Sequence, residues 1–324
     1  HGVNVVHDWA ASVDTAGKKV MLASGAAVAY DKLVLSPGID IKYDSVPGYS
    51  VEAQDAMPHA WKSGTQVQLL KAQVAAMKQG GTYVMVAPPN PYRCPPGPYE
   101  RVSMIAKMLK ANNPKAKIII LDPKPKFSKQ ALFQEGWQKH YSGMVEWLGP
   151  DVHGGIANVD PETVQIETDL DTFKADAATV IPGQKAGAIA FAAGVTDGDW
   201  VPIDPVSMTS KANADIYVLG DATVASAMPK SGFSANSQAK VAANAIRGEL
   251  TGSKVFPARY ANTCWSLIAD NDGVKVGASY TAGDSKIDAV DTFMSQTGED
   301  EALRKATYEE SEGWYTSITQ DMFS

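Results

Sequence analysis

A short apolar run at residues 82–87, a helical stretch at 98–110 and a second β-branched run, Lys117–Leu121, follow one another within forty residues. A strand, a helix and a strand at that spacing read as a βαβ unit. Ile118, Ile119 and Ile120 make the second strand apolar along its whole length, which suits a parallel sheet covered on both faces. The chain is thereby committed to the α/β class. A second unit of the same kind follows. Residues 216–219 are apolar and stop at Gly220-Asp221; a Gly/Ser loop at 228–234 then leads into a small-residue helix at 235–250.

The rest of the chain is arranged around these two units. Tyr30 to Gly38 is an apolar run that ends on a Pro-Gly turn. Val67, Leu70, Val74 and Met77 give a helical period between His59 and Gly80, and Gly80-Gly81 closes it. Residues 128–141 read as a further helix with Ser128 as its cap. Residues 164–166 and 177–181 are weaker strands. Residues 266–269 and 274–280 suggest antiparallel strands, and an acidic helix starts near Glu299. Length supports two domains or more, at about 150 residues each. The expected layout is a split first domain (1–48 and 182–255), an inserted α/β domain (49–181) and a C-terminal α+β domain (256–324). The first residue is His1, no signal-peptide pattern precedes it, and Val3, Val5 and Val6 alternate at once. With Lys19–Leu22 and the run at 30–38, these read as the last strands of a sheet whose first strands are absent. Either the mature protein begins here, or an N-terminal piece has been removed or left unseen.

Composition narrows the function. Apolar residues at 44% and charged residues at 20% are a globular balance. No window of about 20 residues is apolar and uncharged enough for a membrane span. A net charge of −7 offers nucleic acid no attraction. Cys94 and Cys264 are the two cysteines, too few for a disulfide scaffold or a four-thiolate metal site. The five histidines, His1, His7, His59, His140 and His153, have no i, i+4 pair, so no metal site is expected. Trp137 and Trp147 read as packing residues, and the carboxylates around Glu299–Glu301 and Glu309–Glu312 as a solvated face or, less simply, a surface for a basic partner.

Two segments carry chemistry. A strand ending at Gly220-Asp221 puts a carboxylate beyond the carboxyl edge of a sheet, where open α/β folds bind ligands. The helix start near Gly232 would add free N–H groups and a positive dipole end. The plainer reading is an Asp that caps a turn. In the second segment, the loop from Pro88 to Gly97 follows the strand after which a nicotinamide domain carries glycines for the dinucleotide phosphates. Here it holds five prolines and one glycine. Proline has no N–H to donate and its ring blocks close approach, which argues against NAD(P)H as electron donor. Cys94 lies in this loop, beside Arg93, which would lower the thiol's pKa if it faced it. Glu100 stands at the following helix start and could transfer a proton. The two cysteines are either unrelated buried thiols, a structural staple, or a functional pair.

The strand and turn at 30–38 and the Gly220-Asp221 strand together resemble the two later flavin-domain signatures of the pyridine nucleotide-disulfide reductase-like flavoproteins. The first ends Ser36-Pro37-Gly38 here, a departure that keeps the turn glycine. Over nearly the whole chain the sequence resembles, more narrowly, the flavoprotein subunit of flavocytochrome c sulfide dehydrogenase. The stretches concerned are 90–101 (NPYRCPPGPYER), 127–137 (FSKQALFQEGW), 181–186 (IPGQKA), 220–238 (GDATVASAMPKSGFSANSQ), 260–267 (YANTCWSL) and 313–324 (GWYTSITQDMFS). The resemblance implies two Rossmann-like three-layer domains, one of FAD type and one of NAD type without a phosphate cradle. It implies FAD held in part by Gly38, Gly220, Asp221, Lys230, Ser231 and Gly232, with Lys230 near the flavin's pyrimidine end and Trp314 against the flavin. Cys94 and Cys264 would form a redox-active disulfide, with Glu100 as the acid/base beside it.

The implied activity is periplasmic oxidation of sulfide, with electrons passing from FAD to haem c on a c-type cytochrome subunit in a heterodimer. This chain has no C-x-x-C-H attachment motif, so the haem would sit on the partner. The family's opening G-x-G-x-x-G and its covalent flavin-attaching cysteine have no counterpart here and would lie upstream of His1, a separate N-terminal fragment of the same protein being one source of them. A sulfide:quinone oxidoreductase shares the thiol–flavin chemistry but needs an apolar, membrane-facing C-terminal patch. A non-catalytic scaffold with a structural disulfide is the reading from a different class.

Overall fold

The computed structural model describes residues 2–323. His1, one of the five scattered histidines, and Ser324, which ends the last resembling stretch, lie outside the described residues. The chain divides into two compact units. One takes the chain up to Asp40, Gln184–Asn262 and Ala278–Thr292; the other takes Ile41–Gly183, Thr263–Gly277 and the chain from Phe293. Architecture is α/β, with parallel strand pairing in both units.

The second unit is built on a four-stranded parallel sheet in the order Ala177–Val180, Thr82–Val86, Lys117–Leu121, Val145–Leu148. Its register pairs Ala178 with Val84, Val84 with Ile119, and Ile119 with Glu146. The apolar strands are buried on both faces, as their composition requires, with Tyr83, Val84, Met85, Ile118 and Ile120 fully enclosed. Helix Gly97–Asn112 crosses from the first strand to the second, burying Tyr99, Val102, Ala106 and Leu109 on one stripe. Pro98 stands in its first turn, where a missing N–H costs nothing. Asn113 stops it: its amide bonds to the Leu109 carbonyl, while its side chain holds the Gly80 amide and the Lys78 carbonyl at 2.8 Å each.

Three local expectations are corrected. The helical period between His59 and Gly80 yields only Thr65–Ala75. Ahead of it, Arg101 donates to the carbonyls of His59 and Ala60, and Ala60 sits at φ +46°, outside helical space. The helix read from 128 to 141 is Gln130–His140. Its N-cap residue is Lys129 at φ +62°, and Ser128 makes no capping bond. Val3, Val5 and Val6 form no strand and are exposed; alternation without a partner strand does not hold an extended chain.

In the first unit, Leu33–Leu35 pairs in parallel with Asn213–Val218, matching Leu33 with Ile216 and Leu35 with Val218. Helix Gly232–Thr251 follows, capped by Ser231, whose hydroxyl accepts from the Ser234 amide at 3.1 Å. Its far end closes on Gly252 in the left-handed region. Residues 259–294 form a three-stranded antiparallel sheet, Arg259–Ala269, Asp272–Ala282 and Ile287–Met294, longer than the runs the sequence marks.

The C-terminal helix, Glu301–Phe323, buries only Arg304 and Thr307. Its hold on the second unit is ionic. Arg304 Nε donates to Asp272 Oδ1 at 2.6 Å and its Nη1 to Glu135 at 3.2 Å, and His140 meets the other Asp272 oxygen at 2.5 Å. Further out, Glu301 pairs with Lys139 and Glu310 with Lys275, so part of the acidic face is bound to the protein's own lysines. Arg304→Met takes the guanidinium from the buried Asp272, and with it the contact to the part-exposed Glu135. Urea unfolding is expected to show a loss of roughly 3–5 kcal/mol, the usual cost of breaking a buried pair from one side.

Candidate functional site

Strand Arg259–Ala269 gathers one cluster. It carries Cys264, Ser266 and Leu267. Helix Gln130–His140 comes close enough that a side chain at Gly136 would meet Ile268 Cγ2 at 2.5 Å, so only glycine allows this approach. The approach brings Lys129, at that helix's start, onto the strand. Its Nζ donates to the Cys264 carbonyl at 2.9 Å and to Ser266 Oγ at 2.8 Å. Glu100, in the first turn of Gly97–Asn112, is tied to the same strand by the Leu267 amide, which donates to Oε1 at 2.9 Å. Cys94 precedes that helix, with its carbonyl accepting from the Gly97 amide at 2.8 Å. Its backbone lies at φ +57°, a conformation that side chains other than Gly and Asn avoid.

The electrostatics show these groups as neighbours. Burial pushes the Cys94 thiol up to about 12, with Glu100 and Cys264 adding to the rise and Lys129 and the Gly97 amide opposing it. Burial raises Glu100 as well, against the Leu267 amide and Lys129. Lys129 is brought down to about 8 by burial, against the pull of Cys264, Glu100 and Cys94. The cluster is two thiols, a carboxyl and one ammonium. Both cysteines are thiols in this structure, with no bridge formed.

The expectation that Arg93 depresses the Cys94 thiol is corrected. Its guanidinium donates to the Trp61 carbonyl, and burial outweighs the lowering by Lys129. Sequence reasoning missed Lys129. The signal available was a positive residue at the amino end of a helix, against the dipole, inside the 127–137 stretch. Trp314 lies against Trp265, the residue after Cys264 on the strand, with ring centroids 5.6 Å apart and the planes tilted by 31°.

The second group of site residues lies in the first unit. Gly38 turns at φ +67°, and its carbonyl accepts from the Gly187 amide. Gly220 closes the strand at φ +71°, where an added Cβ would stand 3.3 Å from that of Ala235. Gln238 accepts from the Gly220 amide at 2.7 Å. Lys230 Nζ donates to the carbonyls of Asp221 and Thr223, at 2.7 and 2.8 Å, and lies 3.6 Å from the Trp200 ring centre. Burial brings its ammonium down to about 8. Ser231 caps the long helix that Gly232 begins. A carboxylate past a strand end, a buried ammonium beside it and a helix start fit the polyol and anionic parts of a flavin nucleotide.

In the central parallel sheet the usual nucleotide groups are otherwise engaged. Asp122, one residue past the second strand, is where an open α/β sheet offers a carboxylate to a ribose. It is fully buried, and Tyr99 (2.5 Å), Trp147 (3.0 Å) and the Lys124 ammonium (2.7 Å) take its oxygens. Lys124 also donates to the Pro88 carbonyl at 2.6 Å, fixing the start of the proline loop. Among the described residues no group of three or more His, Cys, Asp or Glu side chains is placed to hold a metal ion, and no helix is long and apolar enough to cross a membrane.

Two family models match the chain. Residues 67–182 match the central part of the sulfide dehydrogenase (flavocytochrome c) flavoprotein chain, and 256–323 match the flavocytochrome c sulphide dehydrogenase flavin-binding region. Among solved structures, the sulfide:quinone oxidoreductase of Aquifex aeolicus aligns over 95% of this chain and 74% of its own, with TM-score 0.66 and 17% identity. A ferredoxin reductase from Rhodopseudomonas palustris aligns with TM-score 0.63 and 18% identity over 85% of this chain. The chain spans 65% of that reductase's length, just under two thirds. An FAD-dependent pyridine nucleotide-disulphide oxidoreductase from Desulfovibrio vulgaris gives TM-score 0.53 at 18% identity, over 86% of this chain and 68% of its own. At these identities the likeness is one of fold.

The raised Cys94 thiol is directly measurable. In the reduced protein, its alkylation by N-ethylmaleimide at pH 8 is expected to be more than about 100-fold slower than that of a cysteine peptide with an ordinary pKa near 8.5. The rate should keep rising with pH past 10, followed by peptide mass spectrometry; a plateau between pH 8 and 9 contradicts it.

Proposed function

The chain belongs to the flavoprotein-chain family of flavocytochrome c sulfide dehydrogenase, a family of oxidoreductases, and from that premise we propose that it oxidises sulfide through a Cys94–Cys264 disulfide, with FAD and then a c-type cytochrome subunit receiving the electrons. The observation that carries this reading is the cluster itself. The only two cysteines of the chain, 170 positions apart, share one carboxyl and one ammonium. Unrelated thiols or a plain staple need neither.

The chemistry of this chain's residues is as follows. Hydrosulfide attacks one sulfur of the bridge; the S–S bond breaks, a persulfide forms and the other cysteine leaves as a thiolate. The two electrons brought by hydrosulfide then reside on the thiolate and persulfide. Glu100, raised by burial, holds or releases a proton at its free carboxyl oxygen as the thiols change protonation. Bound FAD supplies a two-electron acceptor that returns electrons one at a time. Asp221 would accept hydrogen bonds from its polyol chain, and Lys230 and the helix start at Gly232 would offset negative charge on its ring edge. The reading places the protein in the periplasm, in a heterodimer with the haem-bearing subunit.

Nicotinamide is disfavoured as donor because five of the ten residues in loop 88–97 are prolines with no N–H to offer, and Asp122 has no oxygen to spare. Cys264→Ser is expected to abolish flavin bleaching by sulfide in the complete protein, a loss of more than about 1,000-fold, on the scale at which essential nucleophiles act. Stopped-flow absorbance at the flavin band measures it. A variant that bleaches at the wild-type rate reduces Cys264 to a structural residue and favours the scaffold reading.

A further inference from the structure

Lys129 is placed at some cost. A non-glycine residue at φ +62° is strained, and an ammonium at a helix amino terminus opposes the dipole. The side chain is 5% exposed, and its two acceptors, the Cys264 carbonyl and the fully buried Ser266 hydroxyl, are neutral. Neutral acceptors hold an ammonium in position without cancelling its charge. We infer that Lys129 is a positioning residue of the thiol pair, the fixed positive charge that retains the anion present in the pocket, hydrosulfide before the S–S bond breaks and cysteine thiolate after it. The inference rests on the sulfide-oxidising reading and deepens it.

The step's balance gives this role its logic. Hydrosulfide plus the disulfide yields a persulfide plus a thiolate, so one negative charge enters and one negative charge is left behind. A single cation held on this strand, in the electrostatic reach of both cysteines, can serve each in turn without moving. The other titratable groups that bear on Cys94 do not replace it. Glu100 and Cys264 raise the thiol, Tyr92 is itself an acid raised by burial, and Arg101 is spent on the carbonyls of His59 and Ala60.

The test compares Lys129→Met and Lys129→Arg in the complete, flavin-loaded protein. At pH 7.5, alkylation of reduced Cys94 by N-ethylmaleimide should be about tenfold slower in the Met variant, for the loss of one opposite charge nearby. The Arg variant should keep most of the wild-type rate. The gap between wild type and Met should close as pH rises through about 8, where the lysine gives up its proton. The apparent KM for sulfide should rise by about tenfold or more in the Met variant. Equal alkylation rates in all three proteins, or a gap that persists to pH 10, overturn the inference. If the Met variant does not fold, Lys129→Gln, which keeps a donor for Ser266 and removes the charge, carries the same measurements. Should sulfide fail to bleach wild-type flavin, the functional reading falls, while the alkylation profile still decides what Lys129 does to the thiols.

Discussion

Burial without neutralisation is the constraint on which the thiol site depends. Water would keep a thiol near 8.5, a carboxyl near 4 and an ammonium near 10.4. Enclosure drives all three toward their uncharged forms, and here each of the Cys94 thiol, the Glu100 carboxyl and the Lys129 ammonium moves in that direction. Strand Arg259–Ala269 makes this tenable, because its backbone gives Glu100 a donor and Lys129 an acceptor. Groups so held respond to one another strongly, since little solvent screens them. The same enclosure that would be a liability in a structural core is what makes a sulfur pair sensitive to one proton or one entering anion.

The central sheet has its usual ligand positions otherwise engaged. Its strand order and crossover helix are retained, yet the loop after the first strand is proline-filled and the carboxylate after the second is internal. The Tyr99, Trp147 and Lys124 contacts to Asp122 tie the helix, the last strand and the proline loop into one rigid block. That block fixes Cys94 at the loop's end.

Much of this was legible in the sequence, for physical reasons. Apolar runs such as 117–121 and the strand ending at Gly220 announce themselves, because burial on two faces demands them. Cys94, Cys264 and Glu100 stood out by rarity or by position at a helix start. What stayed hidden was long-range pairing. Lys129 reads locally as a surface residue after a capping serine; its burial depends on Gly136 admitting Ile268 from a strand more than 130 positions away. Arg93 misled for the converse reason: adjacency in sequence says nothing of where a guanidinium points, and this one donates to Trp61. The hold of the C-terminal helix was likewise invisible, since Arg304, Asp272 and Glu135 meet only through folding.

Lys129 and Lys230 are the two ammoniums brought down to about 8, one in each unit. In both, main-chain carbonyls hold the group, with help from a hydroxyl at Lys129 and an aromatic face at Lys230. Two-electron oxidation of an anion creates negative charge first on sulfur and then on whatever accepts the electrons. A protein that relied on solvent ions to follow that charge would have to open each site to water. On the proposed reading, resident ammoniums fixed in place would meet the charge where it arises. Their lowered pKa is the measure of what that readiness costs the folded chain, because below about 8 each must be kept protonated against its own desolvation. That penalty is relieved as pH rises from there toward the unfolded value near 10.4, so on this account the two lysines trade stability at neutral pH for charge at the reacting atoms.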